Sequence, residues 1–156
     1  MGNKLKLVLT VLLSGVSPIY AQNYNSDAVH FANFVTRMYK NAPFEGVRIM
    51  QDYDNDYLLS VLLLNPDTYG NNTSTMNRVA GVKAMSQASR FFNGSNISDD
   101  LVITTTESNN TLSVEQIETI KENSIGYVKS LELLTTFQDS NGKQVFIYYV
   151  KLANSK

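Results

Sequence analysis

The sequence predicts an α+β protein: an antiparallel sheet of about five strands with one main helix packed on one face. The expected order is β-β-α-β-β-β, with an N-terminal helix in front and a short helix inserted before the last strands. Three observations predict this. "LLTTFQDSNGKQVFIYYVKL" (133–152) alternates like two strands folded on one turn. "TSTMNRVAGVKAMSQASRFFNG" (73–94) has helical spacing of its apolar residues. Helices and strands do not alternate singly, which argues against a parallel sheet of βαβ units.

At 156 residues the chain is the size of one domain, long enough to bury a core without covalent staples. Charged residues make up 17%, below the usual share of about a quarter, and Asn, Ser and Thr fill the gap. Residues 1–21 read as a separate signal peptide. Lys4 and Lys6 form a basic n-region, Leu7 to Leu13 an apolar stretch broken by Thr10, and Ile19-Tyr20-Ala21 a cleavage site before Gln22. The apolar run is shorter than the about 20 residues a bilayer span needs. Loss of Lys4 and Lys6 takes the net charge from −1 to −3, so the mature chain is mildly acidic. Nucleic acid is therefore not an expected partner. With no cysteine, this chain has no zinc–thiolate site, no cysteine nucleophile, no disulfide and no lipidated cysteine at its cleavage site.

Residues 22–45 are expected to be an N-terminal helix and linker, and 46–153 a single α+β domain. Ser26 can cap a helix to about Asn41, with Ala28, Val29, Ala32, Val35, Met38 and Tyr39 on one face; Ala42-Pro43 stops it. "EGVRIMQD" and "YLLSVLLLNP" are two β-rich runs forming a hairpin around Tyr53-Asp54-Asn55-Asp56. In 73–94, Met76, Ala80, Ala84, Ala88 and Phe91 share a stripe with Phe92 at its edge, so the helix axis can sit close to the sheet. Arg78, Lys83, Ser86 and Arg90 lie away from that stripe, and Gly94 is expected to end the helix in a left-handed conformation. "DLVITTTES" is a third strand. "LSVEQIETIKEN" carries the capping pattern Ser113-x-x-Gln116, with Val114, Ile117 and Ile120 on one face.

For the last hairpin, a two-residue turn at Asn141-Gly142 predicts the pairs Glu132–Lys151, Leu134–Tyr149 and Thr136–Ile147. Leu131, Leu133, Phe137, Phe146, Tyr148, Val150 and Leu152 then form the face beneath the main helix. Val128, Leu134, Val145, Ile147 and Tyr149 form the second face, more apolar than water would favour. Cover by the N-terminal helix is the expected arrangement, and an interaction face for another molecule is the alternative.

The alanine-spaced helix closing on Gly94, the Ser/Thr-rich strand after it, a Gly-led strand at Gly126-Tyr127-Val128 and the aromatic–aliphatic run from Gly142 to Val150 together resemble a known family. It is the bacterial surface-lipoprotein family typified by a twenty-kilodalton lipoprotein, and the chain is also similar to the N-terminal domain of flagellar assembly protein T. The resemblance covers 75–152 and implies a cell-envelope location and no known reaction. The chain departs from the lipoproteins by lacking their lipidated cysteine.

Candidate sites are few. His30, the single histidine, reads as a helix-surface residue. Asp52, Asp54 and Asp56 have the spacing that opens a calcium loop, but Tyr57 stands where glycine is needed and Leu63 where the bidentate glutamate belongs. Glu115, Glu118 and Glu122 read as the polar face of a small helix. The sequons at Asn71, Asn72, Asn93, Asn96 and Asn109 read as polar loop chemistry in a bacterium. The expectation is thus an exported, periplasmic, cell-surface or secreted domain without catalytic residues, metal or cofactor. Its partner would be an unknown envelope protein or a second copy, with no membrane span and no lipid anchor; a small-ligand or glycan binder is the alternative.

Overall fold

The computed structural model describes residues 26–52, 55–94, 102–104 and 122–153. The expected signal peptide and the capping pattern at Ser113 lie outside them. The elements are α1 (Ser26–Asn41), β1 (Gly46–Asp52), β2 (Asn55–Leu64), a 3-10 turn (Pro66–Tyr69), α2 (Thr73–Gly94), β3 (Val102–Thr104), α3 (Ser124–Lys129), β4 (Glu132–Gln138) and β5 (Gln144–Lys151). The protein is α+β, with a sheet ordered β3-β1-β2-β5-β4. β1, β2, β5 and β4 are mutually antiparallel neighbours, as expected. β3 departs from this and runs parallel to β1, with Ile49 opposite Val102. Three residues carry too little alternation to announce a direction.

α2 lies as the spacing predicts. Asn72 Oδ1 accepts from the Thr75 backbone N–H at 2.9 Å and caps its first turn. Ala80, Ala84 and Ala88 are fully buried, with Met76, Phe91 and Phe92 beside them. They meet Ile49, Leu58, Leu62, Phe146, Tyr148, Val150 and Leu152 in one apolar cluster. Gly94 is simply the last helical residue and does not take the left-handed backbone expected of it.

The second sheet face packs a separate cluster against α1. Val35 and Tyr39 are buried there, as expected, and Phe31 and Phe34 join them. The Phe31 ring sits 4.5 Å from that of Tyr57 and 5.6 Å from that of Tyr149. α1 therefore shares a core with the sheet and is part of the folded unit, not a preamble to it.

Two further local expectations fail. Gly126-Tyr127-Val128 lies in helix α3, not in a strand. Tyr127 packs its ring 6.0 Å from that of Phe92, and its hydroxyl accepts from the Ala153 N–H at 2.9 Å. The last hairpin closes on a three-residue loop, 140–142, because the Asp139 N–H donates to the Lys143 carbonyl at 2.9 Å and the Gly142 N–H to the Asp139 carbonyl at 3.2 Å. Asp139 Oδ1 also accepts from Asn141 N at 2.9 Å and Lys143 N at 2.8 Å. Within this loop only Gly142 has positive φ, +78°, whereas a two-residue type I′ turn needs it at both central positions.

The register shifts in consequence. Thr136 pairs with Phe146, Phe137 with Val145, and Glu132 with Tyr149, so none of the three expected pairs forms. Phe137 moves to the α1 side, its ring 5.5 Å from that of Tyr39. An irregularity between Leu133 and Thr135 takes up one residue, which returns Leu133 to a place opposite Tyr148 on the α2 side.

Candidate functional site

α1 covers the second sheet face, which was the expected arrangement, and this takes the alternative, an interaction face for another molecule, off the surface. Val145 and Ile147 are fully buried beneath α1, and Leu134 and Tyr149 pack against the same cluster. Val128 is on the other side of the molecule, on α3, against the cluster under α2. Alternation along β4 and β5 located an apolar face correctly. It could not show that Phe31, Phe34 and Met38 of α1 cover it.

The other candidates stay apart. His30 is exposed on the outer side of α1. Asp54 lies outside the described residues, and among those described no group of His, Cys, Asp or Glu is arranged to hold a metal ion. Asp56 is paired with Gln51 across the hairpin. Burial raises its pKa, and a hydrogen bond with the Gln51 side chain partly opposes that. Burial likewise raises the tyrosines at the two sheet faces: Tyr148 on the α2 side, and Tyr39 and Tyr57 on the α1 side with help from nearby acidic groups. Glu115 and Glu118 lie outside the described residues, and Glu122 is exposed ahead of α3.

Two surface features on the α2 side remain. The first is apolar. Val82 is 70% exposed and Ile125 72%, with Met85 and Leu133 each 43%. All four belong to the α2 layer or to the sheet face beneath it: Val82 and Met85 on α2, Ile125 on α3, and Leu133 opposite Tyr148. A depression of about 440 Å³ opens on the outer surface of α2 between Thr75, Arg78, Val79, Val82 and Lys83. α2 carries Arg78, Lys83 and Arg90 and no acidic residue. Its outer surface is thus an apolar centre with cations at its margins.

The second is polar. A groove of about 410 Å³ runs between the start of β1 and the C-terminal half of α2, with Glu45 on one bank and Gln87 and Arg90 on the other. Val47 and Phe91 supply apolar wall. Beneath it, Ser60 is the buried polar residue among those described, fully enclosed in the otherwise apolar run of β2. Its hydroxyl lies 3.0 Å from Gln87 Oε1 and 3.3 Å from the Ala84 carbonyl, so its proton is shared between two α2 acceptors. A buried hydroxyl costs stability unless bonded, and here the bond holds the Gln87 amide in place. Arg48, at the same end of β1, stacks its guanidinium 4.4 Å from the Phe44 ring.

Sequence reasoning missed both features, though signals existed. Val82 falls opposite the alanine stripe at 100° per residue, and Ser60 interrupts "YLLSVLLL".

Fold and surface together define an α+β domain with its sheet sandwiched between helices, bearing a cationic, apolar-centred helix and a polar groove beside it. No known protein family, no curated protein and no solved structure matches this chain. No described helix is long and apolar enough to cross a membrane.

Proposed function

We propose that this is an exported, non-enzymatic domain of the cell envelope that acts by binding, and that it docks its partner on the outer surface of α2. The observation that carries this is Val82, 70% exposed at the centre of a helix whose charged residues are all basic. An exposed apolar centre with polar margins is what protein interfaces have. Charge complementarity selects the partner: an acidic protein surface with an apolar knob to fill the depression beside Val79 and Val82. A second copy of α2 would bring like charges together. Export is supported by the basic and apolar order of residues 1–21, and an envelope location by the resemblance of 75–152 to the surface-lipoprotein family.

The test is a photo-crosslinking amino acid placed at Val82 and, as a control, at His30 on the opposite layer. In cells the Val82 position should give one discrete adduct whose partner peptide is acid-rich, and the combined change Arg78→Glu, Lys83→Glu should abolish it. Equal labelling at both positions, or an adduct indifferent to the charge reversal, would sink the proposal. Intact mass of the exported chain should begin at Gln22.

A second reading, a small-ligand domain, is favoured by the polar groove and its buried anchor at Ser60.

A further inference from the structure

We propose that the groove between β1 and α2 binds a small zwitterion, a ligand of amino-acid or short-peptide class with one carboxylate and one ammonium. The proposal rests on the small-ligand reading and specifies its chemistry. Four polar residues line the groove: Arg48 is engaged with the Phe44 ring, and Glu45, Gln87 and Arg90 are each held by at least one bond within the protein while keeping capacity for another. Gln87 is anchored through its oxygen to buried Ser60, which leaves its –NH₂ group for a ligand acceptor. Arg90 is tethered by Nε to the Ser86 carbonyl at 3.4 Å and by Nη2 to the Ser86 hydroxyl at 3.2 Å, which leaves further N–H donors on the guanidinium. Glu45 accepts from the Leu63 N–H through Oε1 at 3.4 Å, which leaves Oε2.

Held in this way, the groups lose little freedom when a ligand arrives. Their chemistry is complementary to both ends of a zwitterion. Arg90 and the Gln87 amide donate to a carboxylate, and Glu45 on the facing bank takes an ammonium. A simple anion would meet Glu45, and a simple cation would meet Arg90, so each half alone is disfavoured. The volume, about 410 Å³, lies within the range of small-molecule sites, and Val47 and Phe91 offer apolar contact to the carbons between the charges. The buried serine gains a role on this reading. It is a positioning residue for the Gln87 amide.

The probe is glycylglycine, followed by ¹⁵N NMR on the full chain through the Val47 amide and the Gln87 side-chain amide. Acetate, methylammonium and N-acetylglucosamine are run at equal ionic strength. Glycylglycine should shift both signals saturably, with a Kd on the order of millimolar for so open a site, and acetate and methylammonium should each bind about tenfold more weakly. Arg90→Ala and Glu45→Gln, both at exposed positions, should each weaken glycylglycine about tenfold. Ser60→Ala should weaken it severalfold while the remaining spectrum stays native. Acetate binding as well as glycylglycine would overturn the zwitterion, as would binding indifferent to Arg90→Ala. Shifts with N-acetylglucosamine alone would remove the zwitterion and leave the small-ligand reading standing. No shift with any probe would remove both.

Discussion

A Cβ added to Gly81 would lie 3.5 Å from the hydroxyl oxygen of Tyr148, an ordinary contact and not a clash. The same hydroxyl donates to the Asn77 carbonyl one turn earlier, at 3.4 Å. α2 thus crosses β5 with room for one methyl group and no more.

Gly81→Ala should stabilise the protein. Alanine is favoured over glycine inside a helix by about 1 kcal/mol, and the contact leaves most of that gain in place. The urea midpoint should rise for Gly81→Ala and fall for Gly81→Leu, which must displace Tyr148 from Asn77. A fall for the alanine variant would show that α2 sits closer to β5 than described.

Ala84→Glu should be far worse for folding than Lys83→Glu, although the two positions are adjacent. Ala84 is fully buried over Ser60, while Lys83 is exposed. Overpacking there costs about 1–3 kcal/mol, and a buried carboxylate without a partner adds several more or must take up a proton. Reversing the Lys83 charge should stay within about 0.5 kcal/mol. Urea midpoints of the two variants measure the difference, and equal midpoints would mean the stripe is misphased.

A chain starting at Gly46 should not remain a well-behaved monomer. Without α1 it would expose Met50, Leu59, Val61, Val145 and Ile147, all fully buried in the whole protein. A contiguous apolar face of that kind drives association. Light scattering should find oligomers or precipitate, and a stable monomer would mean that α1 contributes little to the fold.

Asp56→Asn should stabilise the protein at neutral pH, and the gain should fade as pH falls. Burial raises the Asp56 pKa above its ordinary 3.8, so the folded state binds its proton more readily than the unfolded state does. The cost of holding it ionised is present in full above the folded pKa. It declines through the window between the two values and is gone below 3.8. The difference in urea midpoint between the variant and the parent should therefore be larger at pH 7 than at about pH 3.5. A gain that grows on acidification would mean that the Gln51 hydrogen bond outweighs burial.

The legible parts of this protein are those in which one short segment suffices. Ala80, Ala84 and Ala88 recur every fourth residue, so their common face follows from helix geometry alone. The alternation of Phe146, Tyr148 and Val150 likewise places them on one side of β5, whatever lies above. The candidate site was hardly legible at all. Gln87 and Ser60 are 27 residues apart in the chain, and only the docking of α2 over β2 brings the amide and the hydroxyl together.

By itself the sequence determined the fold class, the extent of α1 and α2, the first hairpin, and the stripe that α2 buries. Each rests on a local period, 3.6 or 2 residues, that a backbone must obey wherever it is placed. The tertiary structure alone decided the rest. It set the direction of β3, made a helix of Gly126–Val128 by burying Tyr127 against Phe92, and moved Phe137 to the α1 side when the Asp139 carboxylate organised a longer turn. It also laid α1 over Val145 and Ile147, which decided between cover by that helix and an interaction face. Those outcomes depend on which surfaces meet, and one residue of register is enough to send a side chain to the opposite face of a sheet.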